Sequence, residues 1–183
     1  MRGLLIALCC IFTLAGCAGV RPPPLAVNAE QAGYRLDTGD TLRVIVYNEQ
    51  SLSADFTVAD NGTVSIPTLG PVTARGMTVQ QVQQQIYDGL NAGVIVDPGV
   101  SVQLIQYRPF FIVGEVVRPG QYAFMPGLNV LGAVAVAGGF TIRANTREVT
   151  IVRAQGGQPG EWSAAPVADL RPGDVIVIRE QFF

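Results

Sequence analysis

The chain has 183 residues, 49% hydrophobic and only 14% charged, so it can bury a core and wholesale disorder is excluded. Its net charge is −2 and no basic block is present to neutralise a phosphate backbone, which excludes nucleic acid as an expected partner. There is no histidine, and all 12 basic residues are arginine, which removes the usual general base, the commonest metal ligand and any P-loop or Schiff-base lysine.

Met1-Arg2 supplies a positive start, residues 4–14 form an apolar run with Cys9 and Cys10, and Leu14-Ala15-Gly16-Cys17 follows. The run is too short for a membrane span, which needs roughly 17–25 apolar residues. With small residues before a cut site it reads as a signal peptide over residues 1–16. Cys17 is then the one thiol left, and lipid attachment accounts for an odd cysteine in an exported chain. Leu14-Ala15-Gly16-Cys17 resembles the lipobox of bacterial lipoproteins, in which the peptidase cuts before a lipid-modified cysteine. Several acyl chains at about 0.8 kcal/mol per buried methylene make a durable anchor. Ala18, where lipoproteins retained at the inner membrane carry aspartate, implies the outer membrane, facing the periplasm. Residues 17–33 contain Arg21-Pro22-Pro23-Pro24 and no apolar period, and read as a Pro-rich tether.

A first unit is expected over residues 34–107. Leu36-Asp37-Thr38-Gly39-Asp40 reads as a turn, and residues 41–47 alternate as a strand with Leu42, Val44 and Val46 on one face. Strands at 56–59 and 63–66 flank Asp60-Asn61-Gly62, a hairpin signal because Asn and Gly accept positive φ. Residues 78–91 carry Val79, Val82, Ile86 and Leu90 at helical spacing. Thr78 with Gln81 forms a capping box, and Met77 is placed to staple onto Val82. Residues 100–107 return as a strand.

A second unit is expected over 108–183. It reads as a strand at 110–117, a turn at Arg118-Pro119-Gly120 and a return strand at 121–124. A small-residue helix at 129–137 follows, capped by Asn129 and stopped by Gly138-Gly139. Further strands lie at 148–153 and 175–179, the last preceded by Arg171-Pro172-Gly173-Asp174. Each unit is small, mixes short strands with one helix and has no disulfide, so the fold class is α+β in two small domains. Scaffolds of that size need a staple, and packing between the units or self-association would supply it.

Read together, these turns resemble a known family. Tyr34-x-Leu36-x-x-Gly39-Asp40-x-Leu42-x-Val44, then Gly62-x-Val64-x-Ile66-Pro67-x-Leu69-Gly70 and Gly76-Met77-Thr78, are similar to the polysaccharide export domain of the Wza-like outer-membrane lipoproteins. Gly114-Glu115-Val116-x-x-Pro119-Gly120-x-Tyr122, Ala137-Gly138-Gly139-Phe140-Thr141 and Pro172-Gly173-Asp174-Val175-Ile176 are similar to the SLBB β-grasp domain that follows it. The resemblance implies a ring-forming homo-oligomer, without enzymatic activity or cofactor, that passes capsule or exopolysaccharide outward. It also implies an inner-membrane co-polymerase partner of the tyrosine-kinase type. Longer members add β-grasp repeats and a C-terminal pore helix. This sequence has one β-grasp unit and no mature apolar run near 18 residues. It therefore resembles the short class, expected to form a periplasmic ring or adaptor alongside a separate outer-membrane pore. The alternative is a lipid-anchored periplasmic ligand-binding module.

Asp37 and Asp40 invite an acid–base reading, since most glycosidases use two carboxylates, but both lie in one turn where aspartate bonds nearby amides. Asp40 and Asp174 are analogous turn aspartates, one per unit, which favours a scaffold role for both. Glu115 is open between binding a sugar hydroxyl and pairing with Arg118 or Arg153. Gly138-Gly139 follows a helix, where anion sites want a helix start. Trp162 lies in the polar stretch 154–165, which reads as an exposed loop, and is a candidate contact for polysaccharide or a neighbouring subunit. No metal-ligand set is expected.

Overall fold

Alternation along Thr41-Leu42-Arg43-Val44-Ile45-Val46 makes one face of a strand apolar, and that face is what the first domain is built on. A computed structural model describes residues 33–93, 95–155 and 158–181. The expected signal peptide, Cys17 and residues 18–32 of the tether lie outside the described residues. β1 (Thr41–Val46) is the middle of a three-stranded antiparallel sheet, between β2 (Ala54–Thr57) and β5 (Val100–Gln106). Its register sets Leu42 opposite Phe56 and Leu104, and Val44 opposite Val102. A single 3-10 turn, Gln50–Leu52, drops Leu52 into the core. β3 (Thr63–Ile66) and β4 (Gly70–Thr73) form a separate hairpin.

α1 (Val79–Asn91) closes over this layer with Val82, Ile86 and Leu90 fully buried. Full burial of each such side chain is worth roughly 1.5–3 kcal/mol. Both halves of the capping box form: the Thr78 hydroxyl accepts from the Gln81 amide, and the Gln81 side chain accepts from the Thr78 amide. The helix takes its position from a notch. A Cβ on Gly89 would stand 2.4 Å from Leu69 Cδ1, so the β3–β4 turn plants Leu69 where the helix has no side chain.

The turn at Asp60-Asn61-Gly62 forms, with the Gly62 amide donating to the Ala59 carbonyl at 2.8 Å and the Asn61 side chain accepting from Thr63. The hairpin expected across it does not. The preceding strand, at 54–57 instead of 56–59, pairs with β1, and the following one pairs with β4. Local turn chemistry specifies the reversal, but the apolar partners Leu42 and Val72 decide where each strand goes.

The second domain is a helix packed on one sheet, ordered β7-β6-β10-β8-β9. Its elements are β6 (Phe110–Gly114), β7 (Gly120–Tyr122), α2 (Val130–Val136), β8 (Val149–Gln155), β9 (Gln158–Ala164) and β10 (Val175–Ile178). β6 and β10 run parallel and every other pair is antiparallel, as befits a β-grasp unit. Phe110, Ile112, Ile151, Ile176 and Ile178 pack with Val130, Ala133 and Val134 of α2 and with Ala137 at its C-cap in one core, separate from that of the first domain.

Three expectations are corrected here. The strand expected over 110–117 ends at Gly114, whose φ is +93° and whose Cβ, had it one, would stand 2.0 Å from the Ile178 carbonyl oxygen. The return strand is three residues, starting at Gly120. The stretch read as an exposed loop contains β9, paired with β8 along its length, Trp162 opposite Ile151. Trp162 is half-buried, and its indole Nε1 is buried with no hydrogen-bond partner. An edge strand needs partners on one side only, so Pro159 and Gly160 are tolerated there.

Among the described residues no helix is long and apolar enough to cross a membrane.

Candidate functional site

One turn is spelled twice. Leu36-x-x-Gly39-Asp40 leads into β1, and Leu170-x-x-Gly173-Asp174 leads into β10. In each, the leucine is buried and the glycine takes a positive φ, +90° and +85°. In each, the aspartate is sealed from solvent, at 0% and 1% exposure, and its Oδ2 accepts the amide three residues back. Those bonds are 2.9 Å from Asp37 N and 2.8 Å from Arg171 N.

A buried carboxylate is tolerated only if donors replace its lost water. Asp174 takes a bidentate pair from Arg153 of β8, Nε at 2.7 Å and Nη2 at 2.6 Å. Asp40 accepts from the Tyr34 hydroxyl at 2.7 and 2.9 Å, from the Arg108 backbone amide at 2.8 Å and from Arg108 Nη1 at 3.3 Å. Burial first, then the hydrogen bond to Asp40, push the Tyr34 phenol well above its ordinary range, so it stays a proton donor. These donors commit both aspartates to partners within the fold.

Arg108 links the two turns. Its Cβ lies 3.4 Å from where a Cβ on Gly39 would be, and its Nε lies 2.7 Å from where one on Gly173 would be. Glycine at 173 therefore makes room for the guanidinium that serves Asp40. The Gly173 amide donates to the Pro109 carbonyl at 3.1 Å, and the Phe111 amide to the Asp174 carbonyl at 2.9 Å. Beside this junction Tyr107 meets Tyr34 and Phe124 edge to face, with centroids 5.0 and 5.4 Å apart, so one aromatic from the connection touches both domains.

The remaining candidates are dispersed. Glu115 pairs with neither Arg118 nor Arg153, the two arginines expected for it. Arg118 donates to the Val136 carbonyl, and Arg153 is committed to Asp174. Glu115 accepts from the Thr141 hydroxyl at 2.5 Å instead. Arg143 donates to Glu180, and that bond, then the charges of Glu180 and Glu115, raise its pKa above the ordinary arginine value. Gly62 and the Pro67–Gly70 turn shape the first domain, with the Gly62 carbonyl accepting from Ala74 and Arg75. Pro119-Gly120 turns β6 into β7, and Gly138-Gly139 stops α2, the Gly139 amide donating to the Val134 carbonyl at 2.9 Å. Trp162 lies on β9, beside Gly160. A shallow groove of about 320 Å³ between β4 and α1 is lined by Leu69, Pro71, Val72, Thr73, Gln85 and Asp88. Among the described residues no three His, Cys, Asp or Glu side chains gather as a metal site.

Sequence reasoning found both aspartates but missed Arg108 and Arg153 as their partners. The repeated Leu-x-x-Gly-Asp turn ahead of an apolar strand marked the two aspartates as equivalent, but carried no signal for which arginine reaches each.

Residues 28–105 match the polysaccharide biosynthesis/export protein family, and residues 109–161 match the SLBB domain. The exopolysaccharide production protein ExoF of Rhizobium meliloti (strain 1021) is 37% identical over 118 residues, which is 58% of this chain and 28% of that protein. The EPS I polysaccharide export outer membrane protein EpsA of Ralstonia nicotianae is 26% identical over 173 residues, 79% of this chain and 44% of that protein. The capsule polysaccharide export outer membrane protein CtrA of Neisseria meningitidis serogroup A is 33% identical over 109 residues, 57% of this chain and 27% of that protein. The chain thus spans less than half the length of these relatives.

Proposed function

We propose that this chain, whose residues 28–105 match the polysaccharide biosynthesis/export family and whose residues 109–161 match the SLBB domain, carries capsule or exopolysaccharide outward at the outer membrane, as a ring-forming conduit or adaptor. The observation that carries the reading is the two domains in that order, each matched to its family and joined at Arg108-Pro109. We place the boundary between residues 107 and 108, with the domains at 34–107 and 108–183.

The chemistry of the junction supports a scaffold. Both buried aspartates are spent on arginine and amide donors, and the Tyr34 phenol is held protonated. We therefore read the protein as non-enzymatic, acting by position: two rigid modules held at one angle. Acylated Cys17 would hold it to the outer membrane on the periplasmic side, with residues 17–33 as tether. An inner-membrane co-polymerase of the tyrosine-kinase type would deliver the polymer, and a separate outer-membrane pore would complete the path. Glu115, a half-buried acceptor beside Thr141, is the side chain we assign to polysaccharide or subunit contact; Trp162, half-buried on β9, is a lesser one.

The test is surface and periplasmic polysaccharide in a strain lacking this chain, complemented with the native form or with Cys17→Ser. Surface polymer restored by the native form alone is expected. Unchanged surface polymer in the deletion strain would reject the export reading and direct attention to solute binding by a monomer.

A further inference from the structure

The second domain is two layers thick, and each of its outward faces carries an apolar patch. Alternation along β6 and β10 turns Phe110, Ile112, Ile176 and Ile178 onto α2, and turns Phe111, Val113, Val175 and Val177 to the other side. The parallel register puts Val175 beside Phe111 and Val177 beside Val113, and Val152 of β8 stands next to Val175. These five make one continuous patch, in which Phe111 and Val113 are 40% and 42% exposed. Polar pairs border it toward β9: Arg179 with Glu161 at 3.5 Å, and Ser163 with Glu148.

On the opposite side, α2 spends Val130, Ala133 and Val134 on the core and turns Leu131, Ala135 and Val136 outward. The helix contains no charged residue, and Leu131 and Val136 are 49% and 46% exposed. Exposed Val167 and Val117 extend this face beyond either end of the helix. The loop holding Val167 is tied to the helix start by the Leu131 amide on the Pro166 carbonyl, and Val117 is tied to its end through its amide on the Gly139 carbonyl.

A bilayer or a bound solute would use one apolar side, and neither accounts for two on opposite faces. A helix face and a sheet face are the two surfaces that ordinarily pack together in a layered domain. A molecule that carries both, pointing apart, carries both halves of a contact between unlike surfaces. Such a heterologous contact repeats from copy to copy and closes into a ring when its rotation permits. The domain is also small enough to gain from covering what it leaves exposed.

We propose that the outer helix face of the second domain docks on the outer sheet face of the same domain in the next copy of this chain. This deepens the ring reading given above and rests on it for closure of the array. The described residues contain no cysteine, so new ones report cleanly. Leu131→Cys, Val113→Cys and the double variant are made in the full chain and treated with a short bismaleimide in membranes, with the unaltered chain as control for Cys17. The double variant is expected to give a ladder of multiples of the monomer mass. Each single variant should stay at the level of the control when alone and give a dimer when the two are co-expressed. A single variant that dimerises by itself would mean a two-fold contact and would overturn the proposal, as would a double variant without a ladder. Surface polymer in the same cells separates this from the function reading. Export without a ladder removes the interface and leaves the function, whereas a ladder without export does the reverse. Correct folding of each variant is checked by its unfolding midpoint, since all substituted positions are exposed.

Discussion

The two Leu-x-x-Gly-Asp turns share backbone, burial and the amide three residues back, yet hold different things together. Asp174 is bound by Arg153 from the adjoining strand of its own sheet. Asp40 is bound by Arg108, a residue of the connection between the domains, and by Tyr34 from the entry to the first. The same motif is therefore an internal staple in one domain and an inter-domain staple in the other. Its local sequence dictates where the carboxylate sits, and the arginine that reaches it decides what the carboxylate fastens.

Removing the arginine at each turn should break that symmetry unequally. In Arg153→Met, Asp174 keeps only the Arg171 amide among its described donors while remaining 1% exposed. Stranding a buried charge costs about 3–5 kcal/mol. Denaturant unfolding of Arg153→Met should show a loss of that size. The double variant Arg153→Met with Asp174→Leu should recover most of it, because an apolar pair of similar volume leaves no charge stranded. A double variant as unstable as the single would mean that packing around the turn, and not the unpaired carboxylate, sets the cost.

Arg108→Met is expected to cost less. Asp40 would retain the Tyr34 hydroxyl, the Asp37 amide and the backbone amide of residue 108, and the guanidinium is itself 23% exposed at its side chain. A loss of about 1 kcal/mol, in the range of one net hydrogen bond to a charged group discounted for solvent, is expected. Its signature lies elsewhere. Freed from the clamp, the domains should unfold in two transitions where one is expected of the unaltered protein, and small-angle scattering should report a wider spread of shapes. Gly173→Ala, which intrudes on the Arg108 Nε position and also forces a side chain into φ +85°, should reproduce the decoupling with the arginine intact. If Arg108→Met unfolds in one transition with an unchanged scattering profile, the junction is held by Tyr107 and its two aromatic neighbours instead.

Much of this was legible in the sequence, for reasons that also explain what was not. The strand at 41–46, the helix at 79–91 with its box at Thr78 and Gln81, and the Asn129 cap depend on neighbours within four residues, and all form. β9 was invisible because Gln158-Pro159-Gly160-Glu161 has the composition of a loop, and only pairing with β8 makes it a strand. Asn61-Gly62 announced a reversal truthfully, but whether its two flanks pair with each other is settled by β1 and β4, which lie up to 20 residues away. Arg108 was hardest: Asp40 is 68 positions from it, and nothing in Tyr107-Arg108-Pro109 marks the arginine as a clamp.

Tyr34 gives the smallest and sharpest contrast between the turns, because Asp40 has a tyrosine donor where Asp174 has a second guanidinium nitrogen. Burial, then the Asp40 hydrogen bond and charge, raise the folded pKa of the Tyr34 phenol, against a smaller pull downward from Arg108. The unfolded chain therefore ionises first, near the ordinary phenol value of about 10. The stabilisation is fully present below that pH and is lost as pH rises above it toward the folded value. Tyr87, raised by its hydrogen bond to Asp97, contributes a slope of the same sign, so the informative quantity is a difference between variants. Unfolding free energy should fall less steeply between pH 9 and about 11 in Tyr34→Phe than in the unaltered protein. Arg153→Met, which leaves every tyrosine in place, should keep the full alkaline slope despite its lower stability. Equal slopes in the unaltered protein and Tyr34→Phe would mean that the phenol ionises as readily folded as unfolded. Tyr34 would then be a packing residue of the junction and not a proton donor that Asp40 depends on.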